Sequence, residues 1–177
     1  STDFLNSFEA NDPRKLYTVN TATQNVNKIL GSTDGSNKGN DDAANNKILI
    51  RYADVLLWKA EAYLETGDFT NAITYINKIR QRARTTITAD GSIIPAGTLA
   101  NRPASSDKTT VKNWLIAERR TELGFENQRM PDLKRWGIAK QVMSALGKPF
   151  QDKHYLYPIP QSEIDASAGT LTQNSGY

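Results

Sequence analysis

KILIRYADVLLWKAEAYLETGDFTNAITYINKIRQRA, residues 47–83, changes its hydropathy pattern in a way that sets the fold class. Over 47–66, Tyr52, Val55, Leu56, Ala60 and Tyr63 recur at three- and four-residue spacings, which share one face of an α-helix. Gly67 and Asp68 then interrupt the pattern, and Ala72, Ile73, Ile76, Ile79 and Ala83 resume it. So short a turn brings the second helix back antiparallel to the first, so a helical hairpin is expected over about 47–84.

Ala60, Tyr63, Gly67, Ala72 and Ile76 stand at the small, aromatic, turn, small and bulky spacings of a tetratricopeptide repeat. One repeat cannot bury both of its faces, so helical neighbours are implied. Residues 109–126 supply one, with Val111, Trp114, Leu115 and Glu118 on one face and Leu123 and Phe125 near its end. Pro131 suits the first turn of a following helix that runs through Trp136 to Leu146, before Gly147 and Pro149. A second hairpin is therefore expected over about 109–147. The expected fold class is mainly α: tetratricopeptide-like helical hairpins with long loops and an extended carboxy-terminal segment.

Two stretches read as loops. GSTDGSNKGNDDAANN, residues 31–46, is too polar and glycine-rich to bury a core face, and Lys38 stands where a calcium loop would want an oxygen ligand. Residues 85–108 carry glycine, proline and serine with short apolar pieces, and their length predicts an insertion with a role or some order of its own. LYTV, residues 16–19, suits a short extended piece. YLYPIP, residues 155–160, is expected to dock on helices through Tyr155, Leu156 and Ile159, with a helical turn near Ser162 to Ala166.

With 177 residues the chain has the length of one domain. Its net charge of +3 comes from interspersed signs, which disfavours a nucleic-acid stripe. No run of about 18 apolar residues is present. Cysteine is absent, which removes thiolate catalysis and cysteine-ligated zinc, and a single histidine, His154, leaves no histidine metal cluster. No cofactor and no metal site is expected, and His154 among KHYLYPIP reads as a packing residue.

AERRTELGFENQRMPDLKRWG, residues 117–137, concentrates arginine and glutamate. Glu118 and Glu122 lie one helical turn apart with Arg119 and Arg120 beside them, and Arg129, Lys134 and Arg135 follow. A glycosidase dyad needs one carboxyl of raised pKa, whereas neighbouring guanidinium groups favour ionisation of both. The expected role is an ion-pair lock between helices. Trp58, Trp114 and Trp136 sit in predicted helices and read as packing residues in preference to sugar platforms. No catalytic residue is assigned.

Five segments in order, NDPR at 11–14, IRYADVLLWKAEA at 50–62, INKIRQRA at 76–83, ERRTELGFENQRMPDLKRWG at 118–137, and YLYPIPQSEI with QNSGY at the end, resemble the carboxy-terminal part of the SusD/RagB family. Arg51, Glu118, Arg119, Glu122, Phe125, Glu126, Arg129, Asp132 and Trp136 match recurrent positions of that family and look like scaffold. The resemblance implies a non-enzymatic, surface-exposed outer-membrane lipoprotein of Bacteroidetes polysaccharide utilisation systems, which captures glycan and delivers it to a TonB-dependent, SusC-like transporter. The family's lipidated cysteine and preceding helical repeats are not in this sequence, so residues 1–177 are expected to be a carboxy-terminal part. Ligand-binding residues do not carry over, and the loops at 31–46 and 85–108 are where they are sought. The alternatives are a tetratricopeptide-type scaffold that grips a peptide and, further off, a glycoside hydrolase.

Overall fold

The computed structural model describes residues 2–28, 48–88 and 90–177. The polar loop at 31–46, with its calcium question, lies outside the described residues. Eight α-helices occur among them and divide between two compact units, residues 1–128 and 129–177.

The first unit is organised by α3 (Tyr52–Glu65), α4 (Phe69–Arg84) and α5 (Lys108–Glu122). Between α3 and α4, Gly67 takes a left-handed φ of 84°, and the Asp68 N–H donates to the Tyr63 carbonyl at 2.8 Å. That closes the α3 carboxy terminus with the residue type best able to adopt the turn. Asp68 then caps α4 by accepting from Asn71 N at 3.0 Å, and Asp107 caps α5 by accepting from Thr109 N and Thr110 N. Leu57, Ala60, Leu64, Ala72, Ile73, Ile76, Ile79, Val111, Leu115 and Leu123 form the core between the three helices. Each fully buried leucine or isoleucine there contributes about 1.5–3 kcal/mol.

The α4 and α5 faces lie as their periodicity predicts, but the face of α3 is rotated. Tyr52 is 74% exposed and Val55 and Trp58 are both 42% exposed, while Asp54, Leu57, Ala60 and Leu64 are buried. Apolar residues ring α3 on every side, so spacing alone leaves its inward face open, and the buried Asp54 to Arg119 pair fixes the orientation. Packing was thus the wrong expectation for Trp58. Residues 48–50 do not extend this helix and are exposed. LYTV is not extended either: α2 (Arg14–Thr18) takes up most of it, with Val19 alone in an isolated antiparallel bridge to Val26. Pro13 before α2 favours the helical start, and Asp12 clamps Arg14 there. At the amino terminus α1 (Thr2–Leu5) places Phe4 edge-on to Phe8 and Phe125.

Helix α5 ends at Glu122, four residues earlier than its pattern suggests, because Phe125 and Asn127 both take φ of 62°. The long connection has the order its length implies. Thr98 and Leu99 are buried, Arg80 Nε donates to the Ala100 carbonyl at 2.8 Å, and Asn77 exchanges two hydrogen bonds with Arg102. Residues 98–102 therefore lie along α4.

In the second unit the single expected helix is two: α6 (Arg129–Arg135) and α7 (Ala139–Ala145), separated at Gly137, whose φ is 70°. The predicted second hairpin is thus divided, its first helix in one unit and its broken second arm in the other. A 3-10 turn at Asp152–Tyr155 and α8 (Gln161–Ala166) follow. Within this unit Lys134 Nζ donates to the Tyr155 carbonyl at 3.1 Å and lies 4.5 Å from the Tyr157 ring centroid, and Tyr155 meets Phe150 edge-on at 5.3 Å. The Ile159 N–H and carbonyl both bond the Gln173 side chain. Leu156, expected as an anchor, is 58% exposed; the segment is held by Tyr155, Lys134 and Gln173. His154 accepts from Gln151 N through Nδ1 at 3.0 Å and meets Phe150 edge-on, a packing role. Limited proteolysis is accordingly expected to spare the bonds after Lys153 until the second unit melts. Rapid loss of residues 154–177 under native conditions would contradict this docking.

Candidate functional site

Glu118, Glu122 and Glu126 meet arginines from distant segments in a buried lattice within the first unit, and separate ion pairs hold the other arginines that stood out in the sequence. Asp12 Oδ1 accepts from Arg14 N and Nε at 3.0 and 2.9 Å, which aims the guanidinium at α5. There Arg14 Nη1 meets Glu118 at 2.6 Å and Glu122 at 3.1 Å. From α4, Arg80 reaches Glu118 at 3.2 Å and Glu9 at 2.8 Å, and Arg82 reaches Glu122. Arg51, just ahead of α3, adds contacts to Glu122 at 2.7 Å and Glu126 at 2.6 Å, and Lys28 also pairs with Glu126. Arg119 turns to Asp54 at 2.8 Å and Arg120 to Asp3. In α6, Arg135 pairs with the buried Asp132 at 2.9 Å.

The lattice explains four of the five motifs. NDPR supplies Asp12 and Arg14, IRYADVLLWKAEA supplies Arg51 and Asp54, INKIRQRA supplies Arg80 and Arg82, and the fourth supplies the carboxylates. Ion pairing is the role expected of Glu118 and Glu122, yet the cations that meet them include Arg14, Arg80 and Arg82, from segments more than 30 residues away in sequence. Charge content is local information; the choice of partner is tertiary.

Electrostatics favour the charged forms of Glu122 and Arg14. Burial pushes Glu122 up, but Arg82, Arg51 and Arg14 outweigh it and hold its carboxyl below the ordinary 4.5. Burial works against the charge of Arg14, and Asp12, Glu118 and Glu122 more than restore it, holding the guanidinium above its usual range. Glu118 and Glu122 are each 2% exposed. Shut away from solvent and bonded to guanidinium groups, they are placed to hold helices, not to donate a proton to a glycosidic oxygen.

An open groove of about 580 Å³ lies at the α3 to α4 turn. Phe69 and Ile73 give it an apolar floor, Thr70 and Thr74 line one wall from α4, and Ala104, Ser105 and Ser106 line the other from the end of the long connection. Asp68 adds a carboxylate whose pKa is held below its ordinary value by side-chain and backbone hydrogen bonds from Asn71, so it is ionised at neutral pH. Hydroxyls and a carboxylate around an apolar floor suit a polyhydroxylated ring, whose C–H face is apolar and whose rim is polar. The second of the two loops singled out in the sequence thus contributes one wall. The opposite wall comes from helix residues with no distinguishing pattern.

Trp114 receives the Arg102 guanidinium at 5.9 Å from its ring centroid and Trp136 that of Arg135 at 4.5 Å, so both are engaged by the protein's own cations. Beyond the turn, the Tyr63 and Tyr75 rings stack at 5.7 Å with 13° between planes, and Lys59 and Lys78 lie over them. Among the described residues no group of three or more His, Asp or Glu is arranged to hold a metal ion, and no helix is long and apolar enough to cross a membrane.

A family profile described as the SusD family matches residues 4–177. SusD-like protein P2 of Formosa agariphila is 33% identical over 142 residues, which cover 77% of this chain and 27% of that protein. A crystal structure of a SusD superfamily protein from Bacteroides vulgatus is 31% identical with a TM-score of 0.61, over 76% of this chain and 29% of the other. The surface glycan-binding protein A from Bacteroides thetaiotaomicron shares the fold at a TM-score of 0.72 and 24% identity, over 99% of this chain and 40% of the other. The chain thus spans well under half the length of these relatives.

Proposed function

Because the chain belongs to the SusD family, we propose that it forms part of a non-catalytic glycan-binding protein for polysaccharide utilisation, corresponding to the carboxy-terminal part of its relatives. The match over residues 4–177 carries this reading. The groove beside Asp68, Thr70, Thr74, Ser105 and Ser106 is the proposed sugar contact within this chain. Delivery of the glycan to a TonB-dependent, SusC-like transporter, and attachment of the whole protein to the outer membrane through a lipid, belong to the same proposal. Absence of catalysis is supported by the burial and ion pairing of Glu118 and Glu122. A second reading, a tetratricopeptide-type scaffold for a protein partner, is favoured by one observation: Tyr52, Val55 and Trp58 present an exposed apolar face on α3.

Calorimetry with soluble oligosaccharides tests the first reading. A site shared with the portion of the relatives that this chain does not match loses contacts and preorganisation together, and about 1.4 kcal/mol of lost binding energy is a tenfold loss of affinity. Residues 1–177 are therefore expected to bind a glycan at least about tenfold more weakly than a family member of full length that recognises it. Equal affinities would place the whole site in this chain. Release of reducing ends by the purified chain would replace the binding reading with a hydrolase, and capture of peptides with no response to any glycan would favour the scaffold.

A further inference from the structure

We propose that the outer face of the α3–α4 hairpin, where Lys59 and Lys78 flank the stacked Tyr63 and Tyr75, is a subsite for an anionic group carried by a glycan, the carboxylate of a uronate or a sulfate ester. The inference rests on the glycan-binding reading and adds the charge of the ligand to it. Lys59 Nζ lies 4.7 Å from the Tyr75 centroid and 5.9 Å from that of Tyr63, and Lys78 Nζ lies 4.6 Å from the Tyr75 centroid. Two ammonium groups are thus gathered around one phenol ring.

Lys134 and Lys153 also lie over tyrosines, Tyr157 and Tyr177, but singly; what sets Lys59 and Lys78 apart is that both share the Tyr75 ring and neither meets a carboxylate. Arg14, Arg51, Arg80, Arg119, Lys108 and Lys140 each meet a carboxylate. Among the described residues no carboxylate lies within 4.0 Å of Lys59 or Lys78. Each is held over a tyrosine face instead, a weak attraction at an exposed site, while the two like charges repel. An anion seated beside both ammonium groups turns that repulsion into two charge-assisted contacts. Tyr75 feels the field already: a hydrogen bond to Lys59, then the charges of Lys59 and Lys78, draw its hydroxyl below the ordinary phenol range, which makes it a better donor to an anion.

Position ties this face to the groove. Thr74, a groove residue, directly precedes Tyr75 and lies one helical turn before Lys78 on the same side of α4. A chain of sugars seated over Thr70 and Thr74 would bring its next substituents to the lysines. A neutral glycan gains nothing from them, so the pair acts in selection between charged and neutral polymers.

Side-chain NMR of residues 1–177, labelled at tyrosine and lysine, detects even millimolar binding at named positions. Four probes are titrated: an oligogalacturonide, a sulfated galacto-oligosaccharide, a neutral galacto-oligosaccharide and an acidic peptide. The expected result is movement of Tyr63, Tyr75, Lys59 and Lys78 resonances with at least one acidic sugar. Its affinity should exceed that of the neutral sugar about tenfold or more, and fall by a similar factor between about 0.05 and about 0.5 M salt. The double variant Lys59→Gln, Lys78→Gln should abolish this preference while leaving the Tm unchanged, since both side chains are exposed. The uronate and sulfate arms separate the two sources of charge. Equal affinity for neutral and acidic sugars, or a preference that survives the double variant, overturns the anionic subsite and leaves glycan binding standing. Silence toward all three sugars overturns both, and tighter binding of the peptide than of either acidic sugar overturns the subsite in favour of a protein contact.

Discussion

Glu122→Ala is expected to lower the Tm by on the order of 10 °C. The side chain of Glu122 is 1% exposed and receives Arg14 at 3.1 Å and Arg51 at 2.7 Å, besides Arg82. Removing the carboxylate leaves Arg14, itself 7% exposed, turned toward a position with one negative charge fewer. Breaking a buried pair in this way costs about 3–5 kcal/mol, of which the half-exposed Arg82 contributes little. In a domain of 150–250 residues each kcal/mol moves Tm by roughly 2–4 °C. A shift below about 2 °C would show that the lattice is not what joins α2, the chain ahead of α3, α4 and α5.

The same residue sets a pH dependence whose sign is fixed. Glu122 and Glu9 both have folded pKa values below the ordinary 4.5, so the unfolded chain binds more protons as pH falls from there. The stability they contribute is fully present above about pH 4.5 and is lost as pH drops through the folded values. Denaturant midpoints taken from neutral pH down to about pH 3 should fall for the natural sequence and fall less steeply for Glu122→Gln. Parallel slopes would assign the acid limb to other carboxylates.

How much of this was readable in advance depends on the range over which each signal acts. The α4 face is written in its sequence, because Ile73, Ile76 and Ile79 alternate with polar residues that have no other place to go. The α3 face is not, because Leu56, Leu57 and Trp58 are consecutive and the choice among them falls to Asp54 and its partner on α5. The break at Gly137 is local but ambiguous, since a glycine within a helical period is tolerated in many helices and here takes a left-handed φ. The lattice was legible as charge and illegible as pairing: Arg14 and Glu122 are 108 residues apart, and nothing in either segment names the other. The groove is the extreme case, for its hydroxyls come from a helix start and a loop end whose composition is ordinary for both. Sequence carries the periods and the inventory of charges, and the site needs the meeting of distant segments.

That distinction makes the Asp54 to Arg119 pair the sharper experiment, because it separates the burden of a buried charge from the worth of a contact. The side chains are 2% and 1% exposed and meet at 2.8 Å, while Asp54 Oδ2 is buried with no hydrogen-bond partner among the described residues. Arg119→Met removes the cation and leaves a carboxylate in an apolar surrounding, which should cost about 3–5 kcal/mol at neutral pH. Adding Asp54→Asn in the same chain deletes the buried charge at nearly constant volume. It should recover more than about half of the loss, since an amide costs far less to bury than an ion. Guanidinium midpoints of the two single variants and the double variant give the coupling directly. If the double variant is as unstable as the sum of its parts, the helix positions are held by packing of Leu57, Leu64 and Leu115, and the ion pair only accompanies it.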